Sequence, residues 1–141
     1  MPSPALYARR SVDAPVGGPG LADTAVRRAR CSRRRDEEVL EACECMLDIA
    51  AALFNVSGKE LRRLGRTAQQ VARVRQLAMY VAHVTLGLSM AEIGKGFGRD
   101  RTTVLHACHL IEDMRDDGDF DRIVAMTERV AKAALRGQPG V

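Results

Sequence analysis

Tryptophan is absent from this 141-residue chain and aromatic residues make up only 4% of it. Its core must therefore be aliphatic, filled by Leu, Val, Ile, Met and Ala. No apolar run reaches the about twenty residues a helical membrane span needs. The N-terminus carries arginines with no apolar stretch behind them, so no secretory signal is expected. Cysteine is sparse, and Cys31, Cys43, Cys45 and Cys108 match neither a disulfide framework nor a zinc site. Free thiols of this kind suit a reducing cytoplasm. Four of the five prolines precede residue 20 and the fifth is Pro139, so none interrupts the long middle of the chain. Alternating apolar and polar residues never persist long enough for a strand.

What the chain has instead is segregated charge. The net charge of +4 divides into +6 over residues 1–35, −6 over 36–58, +6 over 59–101 and −2 over the rest. Residues 1–35 also hold "VGGPG" and the arginine cluster "RRARCSRRR", without a sustained hydrophobic period, and read as a disordered basic arm. The third block contains Lys59, Arg62, Arg63, Arg66, Arg73, Arg75, Lys95, Arg99 and Arg101, a concentration suited to a polyanion-binding face.

From Asp36 onward the period is helical, and residues 36–141 read as one all-α domain. Val39, Cys43, Met46, Ile49, Ala50 and Leu53 share a face of the first helix, whose first turn is acidic. Ser57-Gly-Lys-Glu60, Thr67-Ala-Gln-Gln70 and Ser89-Met-Ala-Glu92 each have capping-box spacing and predict three further helix starts. Val71, Val74, Leu77, Ala78, Val81 and Val84 line the long helix, which Gly87 ends. The short helix from Ser89 ends at Gly96-Phe97-Gly98. Asp100 is placed to cap the next helix, whose Val104, Ala107, Cys108 and Ile111 face inward. A last helix after Gly118 turns Phe120, Ile123, Thr127, Val130 and Ala134 inward.

The pair of helices around Gly98 has the form of a helix-turn-helix: a short capped helix, a glycine turn and a second helix. Arg99, Asp100, Arg101, Thr102 and Thr103 crowd the start of that second helix. In such motifs the N-terminal residues of the second helix meet base edges in the major groove while its rear packs on the domain. Arginine can donate bidentately to guanine, and threonine offers a hydroxyl and a methyl suited to thymine.

The stretch "VARVRQLAMYVAHVTLGLSMAEIGKGFGRDRTTVLHACHLIED" resembles the C-terminal helix-turn-helix domain of DnaA, the bacterial chromosomal replication initiator. The resemblance covers about residues 39–135; "RDRTTVLHA" is its most specific part and "VSGKELRR" fits the approach to the long helix. It implies a helical bundle that reads double-stranded DNA. It also implies minor-groove contact by Arg73, in the family's "VAR-x-RQ" segment, and major-groove contact by Asp100, Arg101, Thr102 and Thr103. Three positions depart from the family pattern. Arg101 replaces the usual His, Gly98 stands alone where two glycines are usual, and Ala91 replaces a usual proline.

The expected site is thus Arg73, Arg99, Asp100, Arg101, Thr102 and Thr103, with Lys95, Arg62, Arg63 and Arg66 adding charge. The initiator's ATPase domain has no counterpart in this sequence. "SMAEIGKG" imitates a phosphate loop but has Ser89 for its first glycine and Gly96 where Ser or Thr must hold magnesium. No cofactor, metal or catalytic residue is expected, and His83, His106 and His109 lack ligand-spaced neighbours. The expected function is a stand-alone, nucleoid-associated, sequence-specific regulator of replication initiation or transcription. The alternative is an adaptor that contacts replication or transcription proteins and no longer reads DNA.

Overall fold

The structure, a computed structural model, describes residues 20–135. Among them are helices α1 (Leu21–Phe54), α2 (Gly58–Arg62), α3 (Gln69–Val84), α4 (Met90–Phe97), α5 (Arg101–Met114) and α6 (Gly118–Ala134), and no strand. Contacts divide the chain into Met1–Arg34 and Arg35–Val141. Of the basic arm, residues 1–19 lie outside the described part. Residues 21–35 are helical, where an irregular segment was expected. The cause is local: neither proline nor glycine interrupts 21–54, and Ala, Arg, Leu and Glu are good helix formers.

Within Arg35–Val141, the C-terminal part of α1 buries Val39, Ala42, Cys43, Met46, Leu47 and Ala50. The helix ends where Asn55 turns left-handed, at φ 52°. The centre of the fold is α3, which buries Val74 and Arg75 and then every residue from Leu77 to Ala82. A helix buried on nearly all sides must be surrounded, and α3 packs on α2, α4, α5 and α6. Helix α5 turns Val104, Ala107, Cys108 and Ile111 inward, as its spacing predicts. Helix α6 buries Val124, Thr127 and Ala131. Its inward face is rotated from the expected one: Phe120 and Val130 are only half-buried, while Ile123 and Ala134 are exposed. Buried Thr127 keeps its hydroxyl satisfied by donating to the Ile123 carbonyl at 2.8 Å.

The three predicted capping boxes fare differently. Ser89 and Glu92 form a complete one on α4, with both reciprocal bonds present. Ser57 does occupy the N-cap of α2, but its side chain makes no cap bond. The third box does not form, because α3 starts at Gln69 with Ala68 as N-cap. Burial opposes ionisation of Glu92, but the Ser89 amide and the Arg35 guanidinium outweigh it and hold the carboxyl below its usual value. At the far end of α5, Arg115 donates to Asp121 at 2.6 Å, to Glu128 at 2.8 Å and to the Tyr80 hydroxyl at 3.1 Å, joining α3, the end of α5 and α6.

Two glycines allow α4 its position. A Cβ on Gly96 would sit 2.4 Å from the Cys43 Sγ of α1, and one on Gly94 would sit 2.7 Å from the Arg99 carbonyl oxygen. Burial pushes the Cys43 thiol up to about 12, so it acts as a small apolar side chain there. Replacing a helical glycine by alanine ordinarily stabilises by about 0.5–1 kcal/mol. At Gly96 the clash should reverse that sign. Gly96→Ala is expected to destabilise by ~1–3 kcal/mol in urea unfolding, whereas Gly118→Ala, with nothing within 4 Å of its Cβ, should be neutral or stabilising.

Candidate nucleic-acid interface

The turn between α4 and α5 is built by its glycines. Gly98 adopts φ 67°, a left-handed conformation that costs glycine little. The Gly94 carbonyl accepts from the Gly98 amide and, at 2.8 Å, from the Arg99 amide. A single left-handed glycine therefore suffices to turn the chain. Arg99 and Asp100 then lead into α5, which begins at Arg101. Arg99 thus precedes the helix and is not part of its first turn.

Helix α5 differs from α4 and α6 at its N-terminus. Asp100 has the extended backbone of an N-cap but makes no side-chain cap bond, and the first turn holds no acidic residue. By contrast, Ser89 caps α4, and Asp117 caps α6 by accepting from the Asp119 and Phe120 amides. The first-turn amides of α5 are left without an intrahelical or capping partner. Arg101, Thr102 and Thr103 are all exposed around them.

Beside this turn lies a cleft of about 640 Å³ between α3 and the start of α5. Ala72, Arg75, Gln76 and Met79 line one wall; Gly98, Arg99, Asp100, Thr102, Thr103 and His106 line the other. Two arginines, Arg75 and Arg99, line the cleft against one acid, Asp100. Arg75, only 8% exposed, donates to the carbonyls of Leu61 at 2.7 Å, Glu60 at 3.1 Å and Arg63 at 3.5 Å. Arg99 donates to the same Arg63 carbonyl at 2.6 Å. Burial and then the nearby Arg99 charge push Arg75 below the usual arginine value. Among the described residues, Arg99 Nε is the buried side-chain polar atom left without a partner.

The structure gathers some expected site residues and separates others. Arg99, Asp100, Thr102 and Thr103 share the cleft, and Arg101 is exposed on the same turn. Arg63 is tied to it through its carbonyl, with its side chain 62% exposed beside Glu60. Arg66 lies exposed in the loop after α2, with no partner among the described residues. Arg62, however, is held by Glu44 at 2.7 Å and Asp48 at 3.0 Å on α1. Lys95 pairs with Asp36 at 3.7 Å. Arg73 donates to Gln76 at 3.1 Å and lines a separate, mostly apolar hollow with Phe54, Val74, Leu77, Phe120 and Ile123. The sequence reading missed three cleft residues, Arg75, Gln76 and His106. His106 had a signal, lying one turn after Thr102 and Thr103 on the same face.

Comparison with known proteins matches residues 43–111 to the family described as bacterial dnaA protein helix-turn-helix. A crystal structure of a DNA replication initiation factor superposes with a TM-score of 0.66 at 23% identity, over 73% of this chain and 32% of the other. A replication initiator DnaA bound to AMPPCP and single-stranded DNA superposes with a TM-score of 0.57 at 21% identity, over 90% of this chain and 35% of the other. The chain thus spans about a third of the length of these structures, and at such identity the likeness is one of fold.

The buried guanidinium of Arg75 sets a first test of the site's construction. Arg75→Met would strand carbonyls of α2 and its loop, at about 1–3 kcal/mol per unsatisfied group, and should lower stability by at least ~2 kcal/mol in urea unfolding. Arg122→Met, which removes only an exposed pair to Asp119, should cost less than about 1 kcal/mol. Equal losses would mean that Arg75 holds nothing in place.

Proposed function

Residues 43–111 form a DnaA-type C-terminal helix-turn-helix domain, and on that premise we propose that the protein binds double-stranded DNA sequence-specifically, at sites resembling the initiator's box. It acts as a regulator of replication initiation or of transcription, binding no nucleotide and catalysing no reaction of its own. The observation that carries this reading is the uncapped, exposed first turn of α5. Open amides there can receive a phosphate oxygen, and Arg101 and Thr102 stand free to meet base edges. Arg99, held by the Arg63 carbonyl, supplies fixed positive charge at the rim.

The loop after α2 is the second contact. Its Arg63 carbonyl is bonded to Arg99, so the loop starts beside the recognition turn. On it Arg66 is exposed and has no partner among the described residues, and it takes the groove-flanking role better than Arg73, which is half-buried and bonded to Gln76. Arg66→Ala is expected to weaken binding by ~1–3 kcal/mol, chiefly on sites with a flanking A·T tract. Arg73→Ala should cost less; the reverse ranking in a fluorescence-anisotropy titration would return the minor-groove role to Arg73.

The decisive experiment for base reading is site selection from random duplexes at one salt concentration. Thr102→Ala keeps a helix-compatible residue, so the fold survives while specific binding falls by ~1–3 kcal/mol. Arg101→His should change the preferred base at one position without a uniform loss on all sequences. If wild type and both variants select identical profiles, α5 does not read bases. The protein is then an adaptor contacting other proteins through a different face.

A further inference from the structure

Residues 20–34 carry a charge pattern that the helix-turn-helix does not use. Arg27, Arg28, Arg30 and Arg33 are all exposed on the N-terminal part of α1, and Arg34 is exposed as well. The sole acidic residue in this stretch is Asp23 in the first turn. At 100° per residue, Arg27 and Arg30 fall within 60° of each other, flanked by Arg28 on one side and Arg33 on the other. Arg27 and Arg30, and Arg30 and Arg33, are neighbours three apart on the helix surface, a spacing at which like charges repel. None of these residues is buried, so hydrophobic packing does not offset that repulsion. Arg35, the next in the cluster, is set apart because it pairs with Glu92 at 3.0 Å.

A helix with this surface calls for a polyanion. We propose that Arg27, Arg28, Arg30 and Arg33 form a second, sequence-independent nucleic-acid contact, a basic helix that neutralises phosphates of duplex DNA. The inference rests on the reading of the protein as a DNA binder and deepens it by assigning this segment the non-specific part of the affinity. The side opposite the arginines carries Ala22, Ala25, Ala29 and Ser32, with exposed Leu21 at its N-terminal end. A single leucine among small residues gives no continuous apolar face to bury in a bilayer, where an interfacial helix needs several large groups such as Leu, Phe or Trp. Guanidinium groups, in contrast, match phosphate oxygens in geometry and charge, and releasing condensed counterions drives the contact.

The test uses the full chain and a variant combining Arg27→Gln, Arg28→Gln, Arg30→Gln and Arg33→Gln. Binding is measured from low to moderate salt on two duplexes, one with an initiator-type box and one scrambled. Loss of about four phosphate contacts should flatten the slope of log K against log salt by about 3–4. Affinity for both duplexes should fall by the same factor, leaving their ratio intact. The matching Arg→Lys variant should retain most of the slope. An unchanged slope in the glutamine variant overturns the proposal. So does a variant that keeps its DNA slope but loses binding to vesicles of equal parts phosphatidylcholine and phosphatidylglycerol, which would make the segment a membrane contact. Failure of base reading by α5 would look different: wild type would not discriminate between the duplexes, yet the slope change would persist.

Discussion

The candidate interface depends on one buried cation. Arg75 sits within α3, the helix around which α2, α4, α5 and α6 are arranged, and a charge there must be surrounded by acceptors. It finds them in the backbone carbonyls of Glu60, Leu61 and Arg63. Those bonds fix the end of α2 and the loop after it. Because the Arg63 carbonyl also accepts from Arg99, the same loop is tied to the turn between α4 and α5. A backbone oxygen shared by two arginines thus relates the long helix, the basic loop and the start of α5, elements far apart in sequence.

A division of polar satisfaction follows from this arrangement. Side chains close the N-termini of α4 and α6, Ser89 with Glu92 on the first and Asp117 on the second, whereas α2, α3 and α5 have no side-chain cap. Arg115 binds Asp121, Glu128 and Tyr80 at the far end of α5. At the near end of α5 the groups are left open, and two guanidinium groups converge beside them, where burial first and the Arg99 charge second lower the Arg75 value. Unmet donors and repelling cations are what an anion would relieve. Elsewhere, cations are spent on internal pairs: Arg62 with Glu44 and Asp48, Lys95 with Asp36. Charge counted along the chain therefore overstates what the surface can offer a ligand.

Much of this was legible in the sequence, where the determinants are local. The Ser89 box, the glycine turn and the inward face of Val104, Ala107, Cys108 and Ile111 follow from spacing alone. The rest required tertiary partners. Arg62 is claimed by acids 14 and 18 residues away, which no periodicity reveals. Arg75 reads as one more basic residue until its burial is seen. On α6 two apolar stripes lie side by side, and packing buries Val124, Thr127 and Ala131 and leaves Ile123 and Ala134 exposed. The helical start of α1 was missed because a low-hydrophobicity, arginine-rich stretch looks unstructured, although nothing in it breaks a helix.

The central claim, that the open turn of α5 faces DNA, is tested most directly by following backbone amide resonances of the whole protein during titration with an initiator-type duplex. The account places the largest shifts at Gly98–Thr103 and at Arg63–Arg66, with the first-turn amides of α5 moving as they acquire a phosphate acceptor. Shifts confined to the acidic exposed residues Glu37, Glu41, Glu44 and Asp48, or to the apolar hollow around Phe120 and Ile123, with the α5 amides unmoved, would contradict it.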